Sequence, residues 1–323
     1  MDLIANKIKL GYLMAHRLLI LLLMVPLIAI TKPLDDPKQI TFVVSRWSDP
    51  YTQVVAAVQD NLPQENYVAQ TIHHDASDAI DRYLASTDIV IAVGASATAE
   101  LMRRQSGVKM FAVLITDSAF SSLAEKYYGS KQAALEAGVS VVCLDQPVQR
   151  SIELAKLLLP GAEKAGLMLG PASHEHIETF TQQVNIAGMT PNIVKFSVQE
   201  NPILVIEPVL SQSDIFISVP DTRLINIATA KWILQLSYRH RVPVIAYSKA
   251  YLKGGALAAL YSSPANVGRQ TAELLLHSLQ LSDIESGAHM PAYFSIEFNK
   301  SVAAFFDLDI ESEDFYIKKL AAE

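Results

Sequence analysis

Short apolar runs alternate with amphipathic stretches along most of this chain. Ile40 to Val44, Ile89 to Val93 and Met110 to Ile115 are almost wholly apolar and rich in β-branched residues, and each reads as a buried strand. Tyr67 to Ile72 alternates more weakly and reads as a further strand. Between them, Tyr51 to Leu62, Ala76 to Leu84 and Ala95 to Arg104 carry helical spacing, with Val54, Val55 and Val58 on one face of the first and Asp75 placed to cap the second. Strands that are apolar on both faces and are joined by helices predict parallel sheets covered on both sides.

The pattern then repeats. Gly138 to Leu144, Ala165 to Leu169, Ile193 to Ser197, Ile215 to Val219 and Val242 to Ala246 read as strands. Pro147 to Leu158, His174 to Ala187, Ile203 to Leu210 and Leu224 to His240 read as the helices between them. Pro147 suits a first helical turn, and Pro160-Gly161 stops that helix. Tyr293 to Leu308 predicts a strand, an Asn turn and a short helix. No low-complexity linker separates the two α/β halves.

Composition changes this picture at the ends of the chain. Lys7, Lys9 and Arg17 precede an apolar run from Leu18 to Ile30, about 13 residues long, which is short for a membrane span and typical of a signal-peptide core. Residues 1–31 are therefore expected to be a signal peptide or an uncleaved N-terminal anchor, which places the rest of the chain in the periplasm. The formal charge of −7 and the lack of a long basic run argue against nucleic acid as a partner. The single cysteine, Cys143, lies inside an apolar run, cannot form an intrachain disulfide and reads as a small buried hydrophobe.

Val242 to Leu276 is the most telling segment. A buried strand leads through a polar cluster to Gly254-Gly255, a second apolar run (Ala256 to Tyr261) and a helix opened by Ser263 and Pro264. Two strands with a short glycine-containing link also fit a hairpin. The segment resembles the second lobe crossing of the ABC-transporter substrate-binding family that includes tryptophan- and tyrosine-type binders. Pro243-Val244, Gly255-Ala256-Leu257-Ala258 and Gly268-Arg269-Gln270-Thr271 stand where that family has a PV strand, a Gly-Ala-Leu-Ala run and a Gly-Arg-Gln-Ala helix. The order of elements from Gly138 to Gly170, including Leu159-Pro160-Gly161-Ala162, and the tail Asn299, Lys300, Val302, Ala303 are similar as well.

The resemblance implies an α/β, two-lobed, type I periplasmic-binding-protein-like fold, each lobe a parallel sheet flanked by helices, with a hinge of crossing strands. It implies lobe 1 at 38–145 and 251–285 and lobe 2 at 146–250 and 290–323, with the hinge crossing near Lys249 to Gly255. It implies an exported solute-binding component of an ABC transporter, with a small ligand, an amino acid or related solute, and an ABC permease as partners. A periplasmic ligand sensor that reports to a membrane receptor fits the same residues. No cofactor, metal or catalytic residue is expected.

Ligands of open α/β sheets gather at the carboxyl ends of the strands, so the turns there are the candidate site. Gly94, Ala95 and Ser96 follow a buried strand and open a helix whose free N–H groups suit an anionic group; a plain βα turn capped by Ser96 reads equally well. Thr116 and Asp117 match the family's Thr-Asp-Pro turn, with Ser118 in place of the proline. Asp117 can accept from a ligand ammonium or form an Asx turn. Asp221 and Thr222 follow Pro220 and face the cleft or cap the next helix. Tyr247 and Ser248, and Ser45 and Trp47 beside Arg46, follow strands in the same way without matching a family motif.

Two other chemistries match parts of the sequence. Gly94-x-Ser96-x-Thr98 resembles a nucleophile elbow without its second glycine, and a secreted serine hydrolase would need Asp221 with His240 or His277 to complete it. His73-His74-Asp75 and His174-Glu175-His176 lack a zinc-binding spacing, because neighbours on a regular element point apart. They read as solvated histidines.

Overall fold

The structure is a computed structural model that describes residues 37–63, 65, 67–197, 199–221, 223–224, 226–280 and 286–321. The expected signal segment lies outside these residues. Among the described residues no helix is long and apolar enough to cross a membrane.

Two six-stranded sheets carry the fold. The first contains β1 (Lys38–Val44), β2 (Tyr67–His73), β3 (Ile89–Val93), β4 (Lys109–Ile115), β5 (Val139–Cys143) and β11 (Ala288–His289), in the order β11-β5-β4-β3-β1-β2 and parallel throughout. The second contains β6 (Lys164–Leu169), β7 (Thr190–Lys195), β8 (Ile215–Ile217), β9 (Val244–Ala246), β10 (Ala258–Tyr261) and β12 (Ser295–Phe298), in the order β12-β10-β9-β8-β6-β7. There β12 alone runs antiparallel, against β10.

Alternation along the strands builds a core on each face of each sheet. Ile40, Phe42 and Val44 of β1, with Ile89, Ile91 and Val93 of β3, pack with the helices Asp49–Asp60 and Pro264–Gln280 through Val54, Val58, Val267 and Leu275. Val43, Val90 and Ala92 point the other way, toward Leu101, Met102 and Phe120. The second sheet is sandwiched similarly, with Leu167 and Leu169 on one face and Met168 and Phe216 on the other.

The expected return of the chain to the first lobe near Lys249–Gly255 needs correction. β10 pairs parallel with β9, Ala258 opposite Ile245 and Ala259 opposite Ala246, so residues 251–261 stay in the second lobe. Parallel neighbours cannot be joined by a tight turn, and the short helix Ala250–Gly254 makes the connection. The same pairing excludes the hairpin. Gly254 and Gly255 thus sit inside the second lobe.

The chain passes between sheets three times: after β5, between β10 and the helix Pro264–Gln280, and between β11 and β12. These crossings are tied to one another. Gln146 Nε2 donates to Ser262 Oγ at 2.6 Å, linking the first to the second. Arg150 donates to the Gln146 side chain and to the Pro291 carbonyl at 3.2 Å, and its guanidinium lies 4.2 Å from the centre of the Phe294 ring. Gln270 brackets the third crossing, donating to the Met290 carbonyl at 2.8 Å and accepting from the Ala292 N–H at 2.9 Å.

Candidate functional site

The facing carboxyl edges of the two sheets and the crossings enclose a cavity of about 360 Å³. From the first lobe, Asp117 and Ser118 follow β4, Asp145 follows β5 and Met290 follows β11, while Gln146 to Gln149 lie on the first crossing and the start of the helix Val148–Leu158. From the second, Ala172, Ser173 and His176 follow β6, Ser218 to Pro220 follow β8, and Tyr247 follows β9. The helix Ile177–Ile186 adds Thr179, Phe180 and Gln183. The ends of six parallel strands therefore converge on one space, the geometry expected of a ligand site in open α/β sheets.

Two carboxylates stand on the first-lobe side. Asp117 opens the helix Asp117–Tyr128, pairs with Lys131 and accepts from Cys143 Sγ at 3.5 Å. Burial pushes the Cys143 thiol up, and the Asp117 charge adds to that, so the sulfur stays protonated and donates. Asp145 accepts from the Asp117 N–H and pairs with no lysine or arginine among the described residues. Burial raises its carboxyl above the usual range, with the Asp117 charge contributing, while the Asp117 N–H and His176 pull the other way.

On the second-lobe side, Ser218 Oγ is buried and has no hydrogen-bond partner among the described residues. An orphaned hydroxyl at a cavity wall is a ready donor and acceptor for a bound molecule. Tyr247 presents a phenol whose ionisation burial disfavours; its hydroxyl lies 3.1 Å from that of Tyr251.

Of the residues expected from sequence, Asp117 and Tyr247 line this cavity. Ser45, Gly94, Ala95 and Ser96 lie on the same sheet edge but outside the cavity lining. Ser45 Oγ accepts from the Ala97 N–H at 2.9 Å, so it caps the helix whose N–H groups were read as an anion site. Gly94 has φ +93°, and a Cβ there would meet Tyr51 Cε1 at 2.6 Å and Ser45 Oγ at 2.7 Å, so the inner side of the turn is already filled. Ala95 and Ser96 are exposed. Thr116 caps its helix by accepting from the Ala119 N–H at 3.3 Å, and Ser248 Oγ accepts from the Ala250 N–H at 3.4 Å. Trp47 is 61% exposed and stacks on His73.

Asp221, 2% exposed, holds two turns of its own lobe together. Its Oδ2 accepts from the Ala172 N–H at 3.0 Å and Ser173 Oγ at 2.8 Å, and its Oδ1 from the N–H groups of Arg223 at 2.9 Å and Leu224 at 3.1 Å. Gly170 allows this approach, because a Cβ there would lie 2.6 Å from Asp221 Oδ2. Thr222 lies outside the described residues. The hydrolase arrangement is not assembled from these groups: the bonds of Asp221 reach no histidine, and His240 Nε2 faces Glu207 at 3.3 Å.

Asp145 and Ser218 are cavity residues that the sequence reading does not single out, and His176, read there as a solvated histidine, also lines the cavity. Asp145 falls between the strand expected to end at Leu144 and the helix expected to open at Pro147. Ser218 was absorbed into a strand that ends one residue earlier, at Ile217.

Two parallel α/β lobes, three crossings and a cavity at the facing strand ends define the type I periplasmic-binding-protein architecture. Solved structures agree in fold. A ligand-free, open substrate-binding protein with adhesive properties from Clostridium difficile is similar at 14% identity and a TM-score of 0.64, covering 86% of this chain and 97% of that one. An ABC domain from Streptococcus pneumonia in complex with L-Trp is similar at 18% identity and a TM-score of 0.55, covering 86% and 98%. A conserved domain protein from Vibrio cholerae is similar at 15% identity and a TM-score of 0.55, covering 87% and 97%. No curated protein gives a significant match. The family model described as ABC transporter substrate binding protein matches residues 60–286, and the chain belongs to that family.

Proposed function

We propose that this protein is exported, captures a small amine-bearing solute, an amino acid or a relative of one, in the interlobe cavity, and hands it to an ABC permease. The observation that carries the ligand class is the presence of Asp145, a partly buried carboxylate with no lysine or arginine partner among the described residues, and the orphaned Ser218 hydroxyl on the same cavity. A ligand ammonium relieves the unfavourable burial of the Asp145 charge, and a ligand hydroxyl or carboxylate satisfies Ser218. Phe180, Val219 and Leu260 provide apolar wall for the remainder. The L-Trp carried by the similar Streptococcus pneumonia domain is compatible with such a cavity.

Of the residues read from sequence, Asp117 and Tyr247 belong to this proposal. The test is a thermal-shift screen of the purified protein against amino acids, amines, sugars and organic acids, followed by calorimetry on any hit. A solute at 100 times its Kd adds about 2.7 kcal/mol of stability by mass action. Asp145→Asn and Ser218→Ala should each weaken the hit at least tenfold, a loss of about 1.4 kcal/mol. If sugars or acids bind and no amine does, or if both variants bind the amine as well as the parent, the ligand assignment fails.

A further inference from the structure

The His73-His74-Asp75 turn behaves differently from its sequence spacing. His73 is the last residue of β2, whereas His74 and Asp75 lie in the turn beyond it, so the alternation that separates neighbouring side chains stops there. The two imidazoles converge to 4.5 Å between ring centres. His73 Nδ1 lies 3.4 Å from Asp75 Oδ2, and His74 Nε2 lies 3.0 Å from Asp75 Oδ1. One donor atom from each residue falls within 4.8 Å of the other two.

We propose that His73, His74 and Asp75 bind a first-row divalent transition ion at the carboxyl edge of the first lobe. An ion bonded at about 2.0–2.1 Å to two donors of a tetrahedron holds them about 3.3 Å apart, close to the 3.4 Å and 3.0 Å between each imidazole and its own Asp75 oxygen, Oδ2 for His73 and Oδ1 for His74. Two imidazoles and a carboxylate select zinc, copper or nickel over calcium or magnesium, which take oxygen shells. His73 Nδ1 accepts from the Asp75 N–H at 3.4 Å, a long bond that an ion bound at that nitrogen would displace. His74 Nδ1 has no partner among the described residues, so no hydrogen bond prevents Nε2 from turning its lone pair toward Asp75. The side chains of His73 and His74 are 28% and 23% exposed, and Asp75 is 75% exposed, so the turn is held from within and open to an incoming ion. Three ligands leave positions for water. None of the three lines the solute cavity, so the two sites are separate.

Trp47 supplies a reporter, since its ring stacks on His73 with centres 6.3 Å apart. The test titrates the full chain with ZnCl2 in a calorimeter and with CuCl2 while tryptophan fluorescence is followed. One equivalent of zinc should bind saturably, and copper should quench emission at the same stoichiometry. Trp47→Phe should keep the heat and lose the quenching. His73→Ala with His74→Ala should abolish both, and Asp75→Asn, at an exposed position, should weaken zinc by at least about tenfold, the smallest loss seen when even a supporting partner of a metal ligand is removed. Circular dichroism checks that each variant is folded. Absence of saturable binding overturns the proposal. So does binding that survives in the folded double-histidine variant, or that is lost on changing His174 and His176 instead.

Discussion

Replacing Asp221 by alanine separates a residue that holds the second lobe together from one that holds the ligand. Its carboxylate accepts four hydrogen bonds, two on each oxygen. A bond to a charged acceptor contributes about 1.5–3 kcal/mol net, but the loss here is smaller. Ser173 Oγ keeps the Gly170 carbonyl at 3.2 Å, and the Leu224 N–H keeps the Asp221 carbonyl at 3.2 Å. Ala172 is half-buried and Arg223 exposed, and the bonds from both N–H groups are only partly buried, so water can replace the side chain there. With about 0.5–1 kcal/mol lost per bond, the variant should be destabilised by about 3 kcal/mol. For a protein of this size that lowers the melting midpoint by about 6 °C. Asp221→Asn keeps the Oδ1 acceptor and sets an amide against the Ala172 and Ser173 donors, so about half that fall is expected. The assay is differential scanning calorimetry without solute, paired with the affinity for any solute found. If Asp221→Ala melts within about 1 °C of the parent while solute affinity collapses, the carboxylate serves the ligand and the structural account is wrong.

Two further outcomes follow from groups described above. Gly94→Ala should cost about 2–4 kcal/mol, combining a left-handed backbone with a Cβ forced against Tyr51 and Ser45; an unchanged urea midpoint would refute this. Asp145 holds its proton to higher pH in the folded state than in the unfolded chain, so stability is lost as pH rises through the folded value and regained on acidification. Asp145→Asn removes that slope. Its stability relative to the parent should grow toward neutral pH and converge below the ordinary carboxylate value of about 3.9, and a difference constant from pH 4 to pH 7 would contradict the assignment.

The strands were legible because most are buried on both faces and leave continuous β-branched runs, as in Ile89–Val93. The lobe exchange was not. Gly254-Gly255 looks like a hinge in one dimension, and only the pairing of Ala258 with Ile245 shows that the chain has not yet left the second sheet. The site was legible in part for a related reason. A hydroxyl or carboxylate after a strand can cap a helix, staple a turn or face a cavity, and sequence does not separate these roles. Ser45, Thr116 and Ser248 hydrogen-bond to nearby backbone N–H groups, whereas Ser218 keeps its hydroxyl unpartnered. Asp145 owes its character to loss of water around it, which no local pattern encodes.

The three crossings also set the order in which the protein can fold. The face of the first sheet that carries Phe42 is closed by the helix Pro264–Gln280, and β11 completes that sheet only at Ala288–His289. A ribosome adding about 5–20 residues per second delivers that helix about 10–40 s after the helix Asp49–Asp60 against which it packs. Throughout that interval the first lobe lacks a wall, and its valines face water or a chaperone. A chain whose first lobe waits for Pro264–Gln280 and Ala288–His289 keeps that lobe open while the whole second sheet up to β10 is being made.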